Sequence, residues 1–376
     1  MNGGLDLVVA GAGPWGLALA WRAAREGARV AVCDDGARPA GWVAAGMLGP
    51  WSEAAEDEDA LQALMVRAAA RWPGFADELA AASGRDPGYE RSGALLVAAR
   101  PDHVARVRRQ RERLARLGQE HDWVPGSRLR ELEPGLSTAV AGGLHLPGEH
   151  QADPRRLLEA LREASAGAGV VTRPAAARLL HEPSGRVCGL ATADGERIAS
   201  ARVALAAGWA AGRLAARVPL RPVKGQILRL ATAAGAPPPV GHVVRAPSVY
   251  LVPRSGGEVV VGATMEEAHD RRVTAGAVHE LLDEAIHLVP DLRELTFAEA
   301  ATGLRPATPD GAPAIGEDHE DGLIWAVGGY RHGILLSPVV ADALAGLAAG
   351  RPMPPELAAF SPSRFPAALE AACASR

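Results

Sequence analysis

Apolar positions recur along this chain in two rhythms. Leu5–Ala10 is a continuous apolar run, too short for a helix and suited to a strand buried on both faces. A helical stretch follows through Leu17–Ala24 and stops near Gly27; a second apolar run, Arg29–Cys33, ends in Asp34. Farther on, Leu61, Leu64, Met65, Ala68 and Trp72 fall three and four apart, which predicts a helix from Glu53 to about Ser83. Tyr89–Ala98 reads as a strand, Pro101–Gly118 as a basic helix, and Arg155–Ala166 as a helix with Asp153 at its N-cap and Pro154 in its first turn. Short runs at 170–172, 178–180, 187–192 and 198–206 read as strands separated by Pro-Ser-Gly and Asp-Gly turns. The second half alternates strands at 221–228, 249–254, 258–265, 297–304 and 322–330 with a helix over 274–289, and a last helix starts within 331–338.

The 376 residues suggest two or three domains at ~150 residues each. Apolar residues make up 48% and charged residues 22%, enough for a sizeable core on a soluble chain. A net charge of −4 excludes a general pull onto nucleic acid or an acidic membrane. The arginines of 106–116 therefore read as an exposed helix face, with Asp102 and Glu112 interleaved and no aromatic to stack a base. Cys33, Cys188 and Cys373 are too few and too scattered for a disulfide frame or a metal site. No basic stretch precedes the first apolar run, and no apolar stretch reaches the ~20 residues of a spanning helix, so the expected location is the cytoplasm.

The candidate chemistry starts at Gly11-Ala12-Gly13-Pro14-Trp15-Gly16, which sits between the first strand and the first helix. Strand, glycine turn, helix, strand and acid within about thirty residues is a dinucleotide-binding arrangement. Gly11 permits the tight turn, Gly13 lets the backbone approach a pyrophosphate, and Gly16 lets the helix lie close to the strand. The helix N-terminus presents free N–H groups to the phosphate. Asp34 can accept hydrogen bonds from ribose hydroxyls, and Asp35 beside it disfavours a 2′-phosphate.

The loop after the acid narrows the picture. Ala44-Ala45-Gly46-Met47-Leu48 resembles the segment that lies along the flavin in the D-amino acid oxidase superfamily of FAD-dependent amine oxidases, and within it the glycine oxidase branch. Further blocks carry the resemblance in order: Ala206-Ala207-Gly208-Trp209, the strand Pro222-Val223-Lys224-Gly225-Gln226, Tyr250 through Pro253, Gly262-Ala263-Thr264-Met265, Gly303-Leu304-Arg305-Pro306, and Tyr330-Arg331-His332-Gly333. The blocks span nearly the whole chain.

The resemblance implies an α/β fold: a Rossmann-like FAD-binding domain of the glutathione-reductase type with an interleaved antiparallel-sheet substrate domain. The FAD-binding part is expected over 1–85, 150–220 and 300–376, and the substrate part over 86–149 and 221–299. FAD is expected to be noncovalent, held by Gly11, Gly13, Gly16, Asp34, Ala45, Gly46, Met47, Gly208, Gly333, Ile334 and Leu335, the last three at a helix N-terminus beside the flavin ring. Arg305 matches the family's carboxylate clamp, Tyr250 its hydrogen-bonding partner, and Arg331 an active-site arginine; Met265 and Met47 shape a small pocket. Lys224 is a candidate for electrostatic help in oxygen activation. No metal is expected.

The implied reaction is oxidation of glycine or another small amine, with hydride transfer from Cα to flavin N5, an imine product, and return of the electrons to O2 as hydrogen peroxide, in the service of thiazole (thiamine) biosynthesis. The alternatives are a sibling oxidase for sarcosine, D-alanine or D-proline, a flavin dehydrogenase that does not use O2, and a flavin-binding scaffold. A homo-oligomer is left open. Two positions depart from the family pattern, Gly329 in place of a histidine and His332 in place of an asparagine, and both are expected near the flavin. Gly41 also stands where the family has a serine or threonine.

Overall fold

A computed structural model describes residues 4–53, 55, 57–317 and 321–366. Its first sheet has eight strands. Leu5–Ala10 lies at the centre, parallel to Val30–Cys33 on one side and to Arg197–Leu205 on the other. Val171–Arg173 extends the parallel part beyond Val30–Cys33, and Leu323–Val327 joins Arg197–Leu205 at its far end. An antiparallel ribbon, Ala176–His181 and Val187–Thr192, feeds into the start of Arg197–Leu205. The central strands are buried along nearly their whole length, as parallel strands covered on both faces must be.

Pro14–Arg25 and Ser337–Ala348 lie against one face of this sheet, and Asp59–Ser83 packs across Ser337–Ala348 and Pro154–Gly167. Trp21 and Trp72 both pack edge-on against Phe75, with ring centroids 5.7 and 5.5 Å away. Each such pair adds about 0.5–1.5 kcal/mol beyond its area burial. The middle helix begins at Asp59, not at Glu53. Residues around Glu53 form a turn instead, whose N–H groups bond to Glu149.

The second sheet also has eight strands, antiparallel except for the pairing of Ala94–Ala98 with Val243–Arg245. Its backbone is the pairing of Arg221–Ala231 with Thr296–Ala307. The latter strand runs wholly within this sheet, so the domain boundary expected at 300 falls inside it. Alternation along Arg221–Ala231 separates two surfaces. Leu228 and Leu230 pack in a core with Leu281 and Ala285 of the helix Ala275–Leu288, whereas Gly225 and Ile227 line the cavity described below. A small third sheet, Met47–Leu48, Tyr89–Glu90 and His150–Ala152, anchors the segment around Gly46.

Candidate active site

The glycine turn has the geometry its spacing predicts. Gly11 takes φ +110°, and a Cβ there would stand 2.6 Å from the Ala206 carbonyl oxygen on the neighbouring strand. A Cβ on Gly16 would overlap the Gly11 carbonyl. Gly13 is different: the nearest atom to a Cβ would be 3.9 Å away, and the open side faces a cavity of about 840 Å³. That volume lies toward the upper end of ordinary ligand sites.

The cavity runs from Gly11, Gly13 and Asp34 past Ala45, Gly46 and Met47 to Tyr250, Met265, Arg305 and Arg331. Gly208, Gly333 and Ile334 also line it. Thus one cavity joins nearly all the residues expected from the sequence. Gly16 acts from behind, through the close helix–strand approach. Leu335 does not line the cavity: its side chain is in the core, and its carbonyl accepts a hydrogen bond from Trp72 Nε1 at 2.9 Å. The last helix starts at Ser337, so residues 333–335 form the turn before it rather than its first residues.

At the far end, Arg305 pairs with Val223 across the two long strands, and its guanidinium lies over Gly225, where a Cβ would overlap it. Arg305 Nη1 donates to the Thr264 carbonyl at 3.1 Å and the Lys224 carbonyl at 3.4 Å. Among the described residues no carboxylate pairs with Arg305, and its planar fork, which also meets the Tyr250 hydroxyl, faces the cavity where a carboxylate could bind. The Tyr250 hydroxyl lies over Gly262, again where a Cβ would overlap it. Desolvation pushes the Tyr250 phenol above its usual range, against the pull of Arg305, so it stays protonated and able to donate. In the sequence Gly225 and Gly262 stand only as members of two strand blocks, with no role of their own. The available signal was an isolated glycine in an apolar strand, which marks a close approach. Gly225→Ala is expected to displace the guanidinium and raise KM for a small amino acid about tenfold or more, with flavin content unchanged; steady-state kinetics check it.

Beneath this end lies a buried charge network that sequence separation concealed. Glu53 pairs with Arg245, 192 positions away, and His332 Nδ1 stands 3.2 Å from Glu53 Oε2. Burial alone would raise Glu53, but Arg245, then His332 and Arg331, hold its carboxyl well below the usual range. His332 is buried beside Glu53 and is not among the residues lining the cavity, whereas Gly329 is. A Cβ at Gly329 would stand 2.9 Å from the Trp15 ring, so the indole occupies the space that a larger side chain would need. Trp15 Nε1 donates to the Gly333 carbonyl at 2.6 Å. Likewise a Cβ at Gly41 would stand 2.6 Å from Pro14 Cγ, which accounts for the missing hydroxyl residue. Lys224 fails as an oxygen-side cation: its ammonium is buried away from the cavity and paired with Asp270 at 3.0 Å and Glu266 at 3.5 Å.

Two groups hold the loops in place. Arg254 is buried and donates to Gln151 and to the Ala45 carbonyl, tethering the segment that carries Gly46 and Met47. Glu149 Oε1 accepts from Trp51 N at 2.6 Å and Ser52 N at 2.7 Å, and burial pushes its carboxyl up from 4.5 to about 7. The folded protein then holds a proton that the unfolded chain releases, so stability falls as pH rises through that window. Glu149→Gln removes the titration while keeping an acceptor oxygen. It is expected to be more stable than wild type at pH 8 by on the order of 2 kcal/mol, an advantage that fades below pH 5. Urea unfolding at pH 5 to 8 measures this; a difference independent of pH contradicts it.

Comparison with known proteins agrees with the geometry. The FAD dependent oxidoreductase (DAO) family matches residues 6–347. The chain belongs to that family. Among relatives of this oxidoreductase, the glycine oxidase of Geobacillus kaustophilus is 35% identical over 372 residues, covering 96% of this chain and 97% of its own. The crystal structure of glycine oxidase from that organism superposes with a TM-score of 0.89 at 33% identity, covering 96% and 98%. A bifunctional ThiO/ThiG protein of Synechocystis is 32% identical over 96% of this chain, which spans only 54% of that longer protein. The structure of an iminodiacetate oxidase from Chelativorans matches at 28% identity and a TM-score of 0.86, covering 95% and 99%.

The residues fit the cofactor of this FAD-dependent oxidoreductase. The open face of Gly13 and the helix N-terminus behind it suit a pyrophosphate, and Asp34 at the end of the second strand suits a ribose. Among the described residues no cluster of His, Cys, Asp or Glu suits a metal ion. Burial pushes the Cys33 thiol up to about 11, which leaves it unreactive. Cys373 lies outside the described residues. The basic helix Pro101–Arg116 spends several arginines locally: Arg113 pairs with Asp59 at 3.4 Å, and Arg108 lies over the Trp123 ring. Among the described residues no helix is long and apolar enough to cross a membrane.

Proposed function

We propose that the protein oxidises glycine and other small amines whose carboxylate it clamps with Arg305 and Tyr250, using noncovalent FAD, and that O2 takes the electrons to give hydrogen peroxide. The observation that carries this reading is Arg305: a guanidinium held by two backbone carbonyls, with no carboxylate partner among the described residues, in the same cavity as a dinucleotide-binding turn.

FAD, when bound, supplies the two-electron acceptor. The chain supplies position. Arg305 fixes a carboxylate bidentately and Tyr250 donates to one of its oxygens, so that the adjacent carbon stands in one place. Met47 narrows the space beside it and favours a small side chain. Arg331 lines the same end, loosely paired with Glu58 at 3.7 Å, and adds positive charge that favours the carboxylate. The amine must lose a proton to react, and this concentration of cations around it favours the neutral form.

A place in thiazole assembly follows the same reading, supported by the ThiO/ThiG name of the Synechocystis relative. The iminodiacetate oxidase relative supports a reach beyond primary amines. Oxygen consumption and peroxide formation with glycine, sarcosine, D-alanine and D-proline test the proposal. Peroxide equal to the amine consumed supports it; turnover only with an artificial acceptor would identify a dehydrogenase instead.

A further inference from the structure

Besides Arg38 and Arg213, the cavity that holds Tyr250 is lined by four arginines: Arg245, Arg271, Arg305 and Arg331. The other two lining arginines, Arg38 and Arg213, lie toward the dinucleotide end against the Trp42 and Trp209 rings. Two of the four are answered within the protein. Arg245 is paired with buried Glu53, and Arg331 faces Glu58. Arg305 and Arg271 have no carboxylate partner among the described residues. A glycine carboxylate answers only one of them.

Arg271 is placed rather than loose. Its backbone carbonyl accepts from Thr302 Oγ1 at 2.8 Å, which pins it to the strand that carries Arg305. The residue before it, Asp270, is held by buried Lys224. Met265, 59% exposed, stands on the same wall and receives a hydrogen bond on Sδ from the Tyr330 hydroxyl. Arg271 is thus an exposed, backbone-anchored cation at the mouth, with Arg305 farther in. The neighbouring Arg272 points elsewhere: it pairs with Asp270 and does not line the cavity.

We propose that Arg271 forms a second anion subsite, and that the preferred substrates are secondary amines with two acid arms, one arm on Arg305 and Tyr250 and the other on Arg271. This rests on the oxidase reading above and names the substrate class for the same site. Iminodiacetate is the simplest member. A Cα–H bond breaks as a hydride taken up by FAD, the nitrogen loses its proton to water, and hydrolysis of the C=N bond gives glyoxylate and glycine.

Binding and turnover test this separately. Diglycolate and methoxyacetate, non-oxidisable ethers with two acid arms and one, are titrated into the FAD-loaded protein and followed by the flavin difference spectrum. Diglycolate is expected to bind about five- to tenfold tighter, the gain of one partly solvated charge-assisted contact. In Arg271→Met that preference falls to about onefold, and the kcat/KM ratio of iminodiacetate to sarcosine falls in parallel, whereas Arg272→Met keeps both ratios. Equal binding of the two ethers by wild type, or an unchanged preference in Arg271→Met, overturns the subsite. If sarcosine still reduces the flavin in that case, the oxidase reading stands and only the subsite is lost. If neither amine reduces it, both fail.

Discussion

Arg305→Met is expected to lower kcat/KM for glycine by about two to three orders of magnitude, because it removes the partner of a charge that the cavity desolvates. Arg305 sits on the longest strand pair of the second sheet, with its guanidinium over Gly225 and one nitrogen committed to backbone carbonyls. Methionine keeps much of the length but offers no donor. The carboxylate then enters a site with only Tyr250 to meet it, and the adjacent carbon loses its fixed position. Arg305→Lys should recover only part of the loss, since an ammonium cannot hold both oxygens in one plane. Initial rates over a range of glycine concentrations, with flavin content measured on each preparation, decide the matter. A loss smaller than tenfold at equal flavin content would mean that another cation anchors the substrate.

Glu53→Gln is expected to destabilise the folded protein by about 3–5 kcal/mol, the usual cost of removing one partner from a buried ion pair. Glu53 answers Arg245 directly and also faces His332 and Arg331. Its loss leaves Arg245 with an uncompensated charge in the cavity wall. Urea unfolding of wild type and variant near neutral pH measures the difference. The double replacement Glu53→Gln with Arg245→Met should recover much of it, since removing both members of a buried pair costs far less than removing one. A single variant that loses less than about 1 kcal/mol would show that the network is not what holds this end of the cavity.

The glycine turn and Asp34 were legible because their spacing is itself a physical requirement: two close backbone approaches, at Gly11 and Gly16, and one open face, at Gly13, share one strand–helix corner. Arg305, Tyr250 and Met47 were legible through the resemblance, and the structure brings them to one cavity. Lys224 was misjudged because its charge is plain in the sequence and its direction is not. Strand alternation puts it on the face opposite Gly225, where Asp270 and Glu266 neutralise it. The helix expected from Glu53 begins later because Glu53 is drawn into the network with Arg245 and its turn is bonded to Glu149. Pairs such as Glu53 with Arg245 leave no local pattern, since 192 positions separate them. Gly41 and Gly329 looked like losses. They are fitted to Pro14 and Trp15, which fill the space.

The most direct measurement of the central claim is the visible spectrum of the purified, FAD-loaded protein before and after anaerobic addition of glycine or sarcosine. The account predicts that the oxidised flavin bands fade with wild type, fade far more slowly at the same amine concentration with Arg305→Met, and return when air is admitted, with peroxide formed. Bands that persist in wild type with every small amine, or that fade equally in Arg305→Met, would contradict it.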